Sequence, residues 1–200
     1  MDTADGTRYR IRLATEGDIG ELIRMQMALQ RSIARVGTKM LRLRRGSAGR
    51  LCEYYRTQID GELSRVFVAQ HHVSEDVVGM GAGRIWLHAD YVPEQSGELI
   101  DLWVDPEHRR QGLAGRMVAR LLKFFRAGGI DFLAVNYVQG NPAAEILWRR
   151  FGFHPVLMTA TAERCAIENA LGIGSQRIVP TKARAAADDR LTYAGVSLSG

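Results

Sequence analysis

The residues best suited to chemistry fall in one run, Val104-Asp105-Pro106-Glu107-His108-Arg109-Arg110-Gln111-Gly112-Leu113-Ala114-Gly115-Arg116. The residues before it read as a strand ending at Val104, and those after it repeat at helical spacing. Gly112 and Gly115, with the small Ala114 between them, let the backbone turn tightly, while the free amides and dipole of a helix start attract a negative group. The chemistry this arrangement suits is the binding of a phosphate or pyrophosphate. Two nucleotide-binding patterns fail on spacing. A Walker loop needs a Lys and a Ser or Thr directly after its second glycine, and a dinucleotide fingerprint needs three glycines as Gly-x-Gly-x-x-Gly. Neither is present.

A second constellation follows one helix and one strand later: Asn141, Ala144, Leu147, Trp148, Gly152 and Phe153. Together the two resemble the GCN5-related N-acetyltransferase superfamily. Arg109, Gly112 and Ala114 match its motif A (Gln or Arg, two residues, Gly, one residue, Gly or Ala), and Val104 and Pro106 match the usual strand ending. The second set matches motif B, Asn-x-x-Ala-x-x-Leu-Tyr-x-x-x-Gly-Phe, except that Trp148 stands at the tyrosine. The resemblance covers residues 8–162 and implies transfer of an acetyl group from acetyl-coenzyme A to a primary amine by direct attack in a ternary complex. By position, it implies that the main chain of Leu102, Trp103 and Val104 pairs with the pantetheine arm and that the Val104 amide receives the thioester carbonyl. It also implies pyrophosphate binding by the amides of Arg110, Gln111, Gly112, Leu113, Ala114 and Gly115. Arg109, Arg110 and Arg116 would meet cofactor phosphates, Asn141 would sit where two strands splay apart, and Trp148 would pack on the cofactor arm.

An ammonium cannot attack, so the acceptor must lose a proton. The resemblance to histone-type members puts a catalytic glutamate at Glu98, whose alternative roles are strand capping or binding of the acceptor ammonium. Strict alternation puts Asp101 on the opposite face of the strand from Glu98, for a buried salt bridge, a catalytic task or acceptor contact. With Trp148 in place of the usual acid, either Tyr137 protonates the leaving thiolate or no acid is required. Asp90, Glu94 and Asp101 are the candidate acceptor contacts. They suit a small cationic amine: an aminoglycoside-type antibiotic, a polyamine or an amino-acid-like amine. The rival expectations are a protein or peptide amine as acceptor and a non-catalytic acyl-coenzyme A-binding regulatory module.

The whole chain has 200 residues, 46% hydrophobic and 24% charged, with a net charge of +5. That bounds it to one globular domain with an extension. The charge is uneven. Arg24, Arg31, Arg35, Lys39, Arg42, Arg44, Arg45 and Arg50 form one acid-free run, and Arg109, Arg110, Arg116, Arg120, Lys123 and Arg126 another. Of 27 lysines and arginines these runs hold 14, leaving 13 against 22 acids. Overall basicity therefore does not argue for nucleic acid, and the orientation of the first run decides whether the acceptor is a polycation or carries an anion. Two cysteines without CxxC spacing argue against a disulfide framework, and five histidines, two of them adjacent and no pair at helical i, i+4 spacing with an acidic partner, argue against a metal site. No apolar run reaches the ~20 residues that span a bilayer. The expected setting is cytoplasmic, away from membranes and nucleic acid, and the resemblance adds a homodimer.

The elements that must position these residues follow from periodicity. Residues 9–13 alternate as a strand, Thr15 and Asp18 form a capping box before an amphipathic helix, and residues 51–59 form a second helix. A hairpin spans residues 66–68 and 77–87. Then come a strand at 98–104, a helix at 112–127, a strand at 132–138, a helix at 141–151, a last strand at 153–161 and a short helix beyond Glu163. The fold class is α/β (α+β), with a mixed, mostly antiparallel, splayed sheet of six to seven strands flanked by helices. Residues 8–162 would be the domain and 163–200 an extension.

Overall fold

The computed structural model describes residues 8–36, 44, 46–90 and 92–172. Contacts divide them into a unit ending at His154 and a second beginning at Pro155. The first contains β1 (Tyr9–Leu13), α1 (Ile19–Val36), α2 (Ala48–Asp60), β2 (Ser64–His71), β3 (Val77–Leu87), β4 (Gln95–Val104), α3 (Leu113–Ala127), β5 (Leu133–Val135) and α4 (Pro142–Arg150). The second contains α5 (Arg164–Ala170).

Five strands form one sheet in chain order, antiparallel throughout except for the parallel β4–β5 pair. Alternation in β1 to β4 gives the sheet two apolar faces. On one, Leu22 and Met25 of α1 and Tyr55 of α2 pack over Val66, Val68, Met80 and Ala82. On the other, Val118, Leu121 and Phe125 of α3 pack with Ile85 and Leu99, while Leu113 and Met117 cover Ile11, Ala69 and Val78. The α3 ring of Phe125 lies on a glycine floor, since a Cβ on Gly83 or Gly97 would come within 2.8 Å of it. The capping box is formed: Asp18 Oδ2 accepts from the Thr15 amide at 2.8 Å and from its hydroxyl at 2.9 Å, and Arg12 holds the same carboxylate with two hydrogen bonds.

Two expected strands differ. The 132–138 strand contracts to Leu133–Val135, pairing only with Gly97–Leu99. The 153–161 strand is absent, so among the described residues the sheet has five strands rather than six or seven. Its sequence explains this: Pro155 removes a donor, and Val156, Leu157 and Met158 are consecutive rather than alternating, leaving them 97%, 73% and 71% exposed. Among the described residues no helix is long and apolar enough to cross a membrane.

Candidate active site

β4 carries the centre of the site because of an irregularity. Glu98 pairs with Arg84 and Leu99 with Gly83, but Asp101 pairs with Ala82, so β4 has one extra residue at this point. Such a bulge re-aims the side chains beyond it. Asp101 consequently lies on the same face as Glu98, towards α1 and α2, which corrects the opposite-face expectation. Ile100 and Trp103 share that face, while Leu99, Leu102 and Val104 face α3.

Glu98 is 7% exposed. Its Oε2 accepts from Trp86 Nε1 at 2.7 Å and its Oε1 from Asn136 Nδ2 at 2.7 Å, with Arg84 Nη2 3.6 Å from Oε2. Asp101 accepts from the Tyr55 hydroxyl at 3.3 Å. Burial pushes its carboxyl up from 3.8 to about 6; Gln26 and Tyr55 oppose the rise, the Glu98 charge adds to it and Arg84 opposes it. Because the folded pKa lies above the unfolded one, the stabilisation from Asp101 is complete below pH 3.8 and lost as pH rises through about 6. Asp101→Asn is therefore expected to gain stability relative to the parent, by ~1–3 kcal/mol, between about pH 4 and pH 7. Urea unfolding of both proteins across that range checks it; a constant difference would show that Asp101 does not titrate this way.

The main chain beyond Glu98 is open on one side. β5 leaves β4 after Leu99, and the Asp105 amide donates to Val78 of β3 at 2.9 Å. By strand alternation the Val104 amide points the other way, into the splay. The loop that follows is pinned. Tyr9 Oη lies 2.8 Å from His108 Nδ1, Arg109 Nε donates to the Val104 carbonyl at 2.9 Å, and Arg116 Nη2 donates to the Tyr9 carbonyl at 2.8 Å. The Arg109 guanidinium lies over Trp103 at 4.8 Å, and the Trp103 indole donates to Asp105. Arg110 and Gly112 take positive φ of 64° and 73°. At α3 the first amide bonded within the helix is that of Arg116, to Gly112; those of Leu113, Ala114 and Gly115 have no acceptor among the described residues. A Cβ on Gly112 would meet nothing within 4 Å. Three free amides beside open space fit an anionic group such as a pyrophosphate. The buried Gln111 Oε1 also has no partner among the described residues. Leu113 is 2% exposed and packs in the core, so only its amide is available. Gly112→Ala, forced into a left-handed conformation, is expected to cost about 1 kcal/mol and to weaken coenzyme A binding ~10-fold. Calorimetric titration measures the latter, and unchanged affinity would remove the loop from the binding site.

The other candidates disperse. Asn141 caps α4, its Oδ1 accepting from the Ala144 amide at 3.3 Å. Trp148 is 5% exposed and packs edge-on against Phe153, with half-buried Tyr137 in the same cluster. Asp90 and Glu94 are exposed in the β3–β4 connection, beyond the Leu87–Gln95 pair and so beyond the Glu98 rung. Of the first basic run, Arg24 binds Asp105 through two hydrogen bonds and Glu21 through one. Arg31, Arg35, Arg44 and Arg50 are exposed, and Lys39, Arg42 and Arg45 lie outside the described residues. A cavity of about 480 Å³ near Arg12, Asp18, Arg24 and His108 does not include Glu98. Sequence reasoning missed Arg84, Trp86, Asn136 and Tyr55. The polar and aromatic pair Arg84 and Trp86, spaced by two in an otherwise apolar strand, was the available signal.

The model of the acetyltransferase (GNAT) family matches residues 38–153, and the chain belongs to that family. It is an N-acetyltransferase with acetyl-coenzyme A as cosubstrate. No curated protein sequence matches it. Among solved structures, a predicted acetyltransferase from Clostridium acetobutylicum with acetyl-CoA is 15% identical, with a TM-score of 0.62 over 79% of this chain and 97% of that one. A GCN5-related N-acetyltransferase from Ralstonia eutropha is 16% identical, with a TM-score of 0.63 over 78% and 98%. An aminoglycoside antibiotic 6'-N-acetyltransferase from Acinetobacter baumannii is 15% identical, with a TM-score of 0.61 over 78% and 97%. At these identities the likeness is one of fold.

Proposed function

We propose that the chain acetylates a primary amine of a small molecule by direct attack in a ternary complex, with Glu98 as the base. The observation that carries this reading is the position of Glu98: a held carboxylate on the α1/α2 face, next to the rung where β4 and β5 part. Acetyl-coenzyme A supplies the activated acyl group. The amides of Leu113, Ala114 and Gly115 would hold its pyrophosphate, Arg110 would add charge, and the Val104 edge would hold its arm. Arg109 and Arg116 brace the loop through the Val104 and Tyr9 carbonyls, so their part in phosphate binding would be secondary. Glu98 would orient the amine and take its proton. No protein acid is required at the sulfur, because a thiol of pKa about 8.5 is a tolerable leaving group; Tyr137, half-buried, is the nearest reading of an acid. Trp148 keeps to packing.

The small-molecule acceptor is supported by the likeness to aminoglycoside acetyltransferases. The same reading takes residues 8–162 as the catalytic domain, with 163–200 as an extension. It places the protein in the cytoplasm, in keeping with two free thiols, Cys52 and Cys165. The exposed Val156, Leu157 and Met158 support a homodimer. The test is thiol release from acetyl-coenzyme A across aminoglycosides, polyamines, amino acids and peptide N-termini. Turnover with a small amine is the expected result. Tight coenzyme A binding without turnover of any amine would replace this reading with the regulatory module, which the tryptophan at position 148 favours.

A further inference from the structure

Arg84 is a half-buried cation that acetyl transfer leaves without a task; its side chain is 17% exposed. It stands on β3 directly across the strand pair from Glu98. Its guanidinium carbon lies 3.8 Å over the Trp86 ring, and Nη2 lies 3.6 Å from Glu98 Oε2. Beyond these two contacts Nε and Nη2 hydrogen-bond to nothing among the described residues, while the side chain keeps 17% of its surface exposed, which leaves a ligand a way to the guanidinium. Glu98 is differently placed, since each of its oxygens already accepts a short hydrogen bond. The hydrogen-bonding deficit of this pair is therefore on the cation. Buried donors are rarely left unmade, and a guanidinium fork matches a carboxylate with two parallel bonds.

We propose that the acceptor is an α-amino acid, its carboxylate bound by Arg84 and its amine presented to Glu98. This rests on the transferase reading above and narrows it. The amine and carboxylate of an α-amino acid sit on a single carbon, so they need opposite charges in near contact, as Arg84 and Glu98 are. Trp86 fixes both members, stacking under the guanidinium and donating its indole N–H to the carboxylate. A polyamine or aminoglycoside would bring surplus cations beside Arg84 and be repelled. The exposed arginines of α1 do not enter this choice; the selecting cation is Arg84 of β3.

The test compares matched acceptors at saturating acetyl-coenzyme A: L-phenylalanine with 2-phenylethylamine, L-methionine with 3-(methylthio)propylamine, and both sets with spermidine and kanamycin. The amino acids are expected to exceed their decarboxylated partners about 100-fold in kcat/KM. In Arg84→Gln that preference should collapse to near unity, with coenzyme A binding retained as the check on folding. Equal or better turnover of the decarboxylated amines, spermidine or kanamycin by the parent enzyme would overturn the inference and leave the transferase standing. So would an equal loss for both members of each pair in Arg84→Gln, which would make Arg84 a brace for Glu98 only. Binding of coenzyme A without turnover of any amine would remove the transferase reading itself, and this inference with it.

Discussion

Glu98→Gln is expected to lower kcat/KM by about 10²- to 10⁴-fold, the usual contribution of a positioned base. The substitution preserves size and most contacts. The new amide oxygen can still accept from Trp86 Nε1, and the Asn136 amide can turn to accept instead of donate. Folding and coenzyme A affinity should therefore stay within about twofold. What would be lost under the proposed role of Glu98 is proton removal from the acceptor ammonium, so the remaining activity should climb with pH as free amine forms in solution. Steady-state rates between about pH 6 and pH 10, beside calorimetric coenzyme A titrations, separate the possibilities. Unaltered turnover would move the base elsewhere, and a parallel loss of coenzyme A affinity would mean structural damage.

Phe125→Ala should be the most destabilising single change on the α3 face. The ring is 1% exposed and fills the space over Gly83 and Gly97, where the absence of side chains lets it approach the sheet. Truncating such a ring removes its burial and leaves a cavity that a β-sheet floor cannot close, at ~3–5 kcal/mol. Against a total stability of about 5–15 kcal/mol, that threatens the native state at physiological temperature. Gly97→Ala should also destabilise, because its Cβ would approach Phe125 at 2.8 Å and Leu133 Cδ2 at 2.5 Å. In the double variant the two costs should partly cancel, since the alanine methyl occupies space the ring has left. Urea unfolding of the four proteins measures this coupling; strict additivity would show that Phe125 and Gly97 do not share that space.

How much was legible beforehand depended on whether local rules sufficed. The capping box at Thr15 and Asp18, the hairpin, the amphipathic α3 and the Asn141 cap are consequences of short-range chemistry, and each stands where periodicity put it. The 153–161 strand failed because a strand also needs a partner edge and an alternating face, and Pro155 followed by three consecutive apolar residues provides neither. Asp101 was misplaced because alternation assumes an unbroken ladder. One extra residue in β4 turns every side chain beyond it, and nothing in Leu99-Ile100-Asp101 announces that insertion.

The sequence alone therefore determined the family, the element order as far as α4 and the glycine turn at Gly112 to Gly115, and it singled out Glu98 as the candidate base, because these are encoded in types and spacings within a few residues. Tertiary structure alone decided which groups converge on Glu98. Trp86 and Arg84 come from β3, Asn136 from the segment after β5, and Tyr55 and Gln26 from α2 and α1 onto the neighbouring Asp101. It also decided that Arg116 spends its guanidinium on the Tyr9 carbonyl 107 residues away in sequence. Such contacts follow from strand register and helix docking, which depend on the whole packed core rather than on any local run of residues.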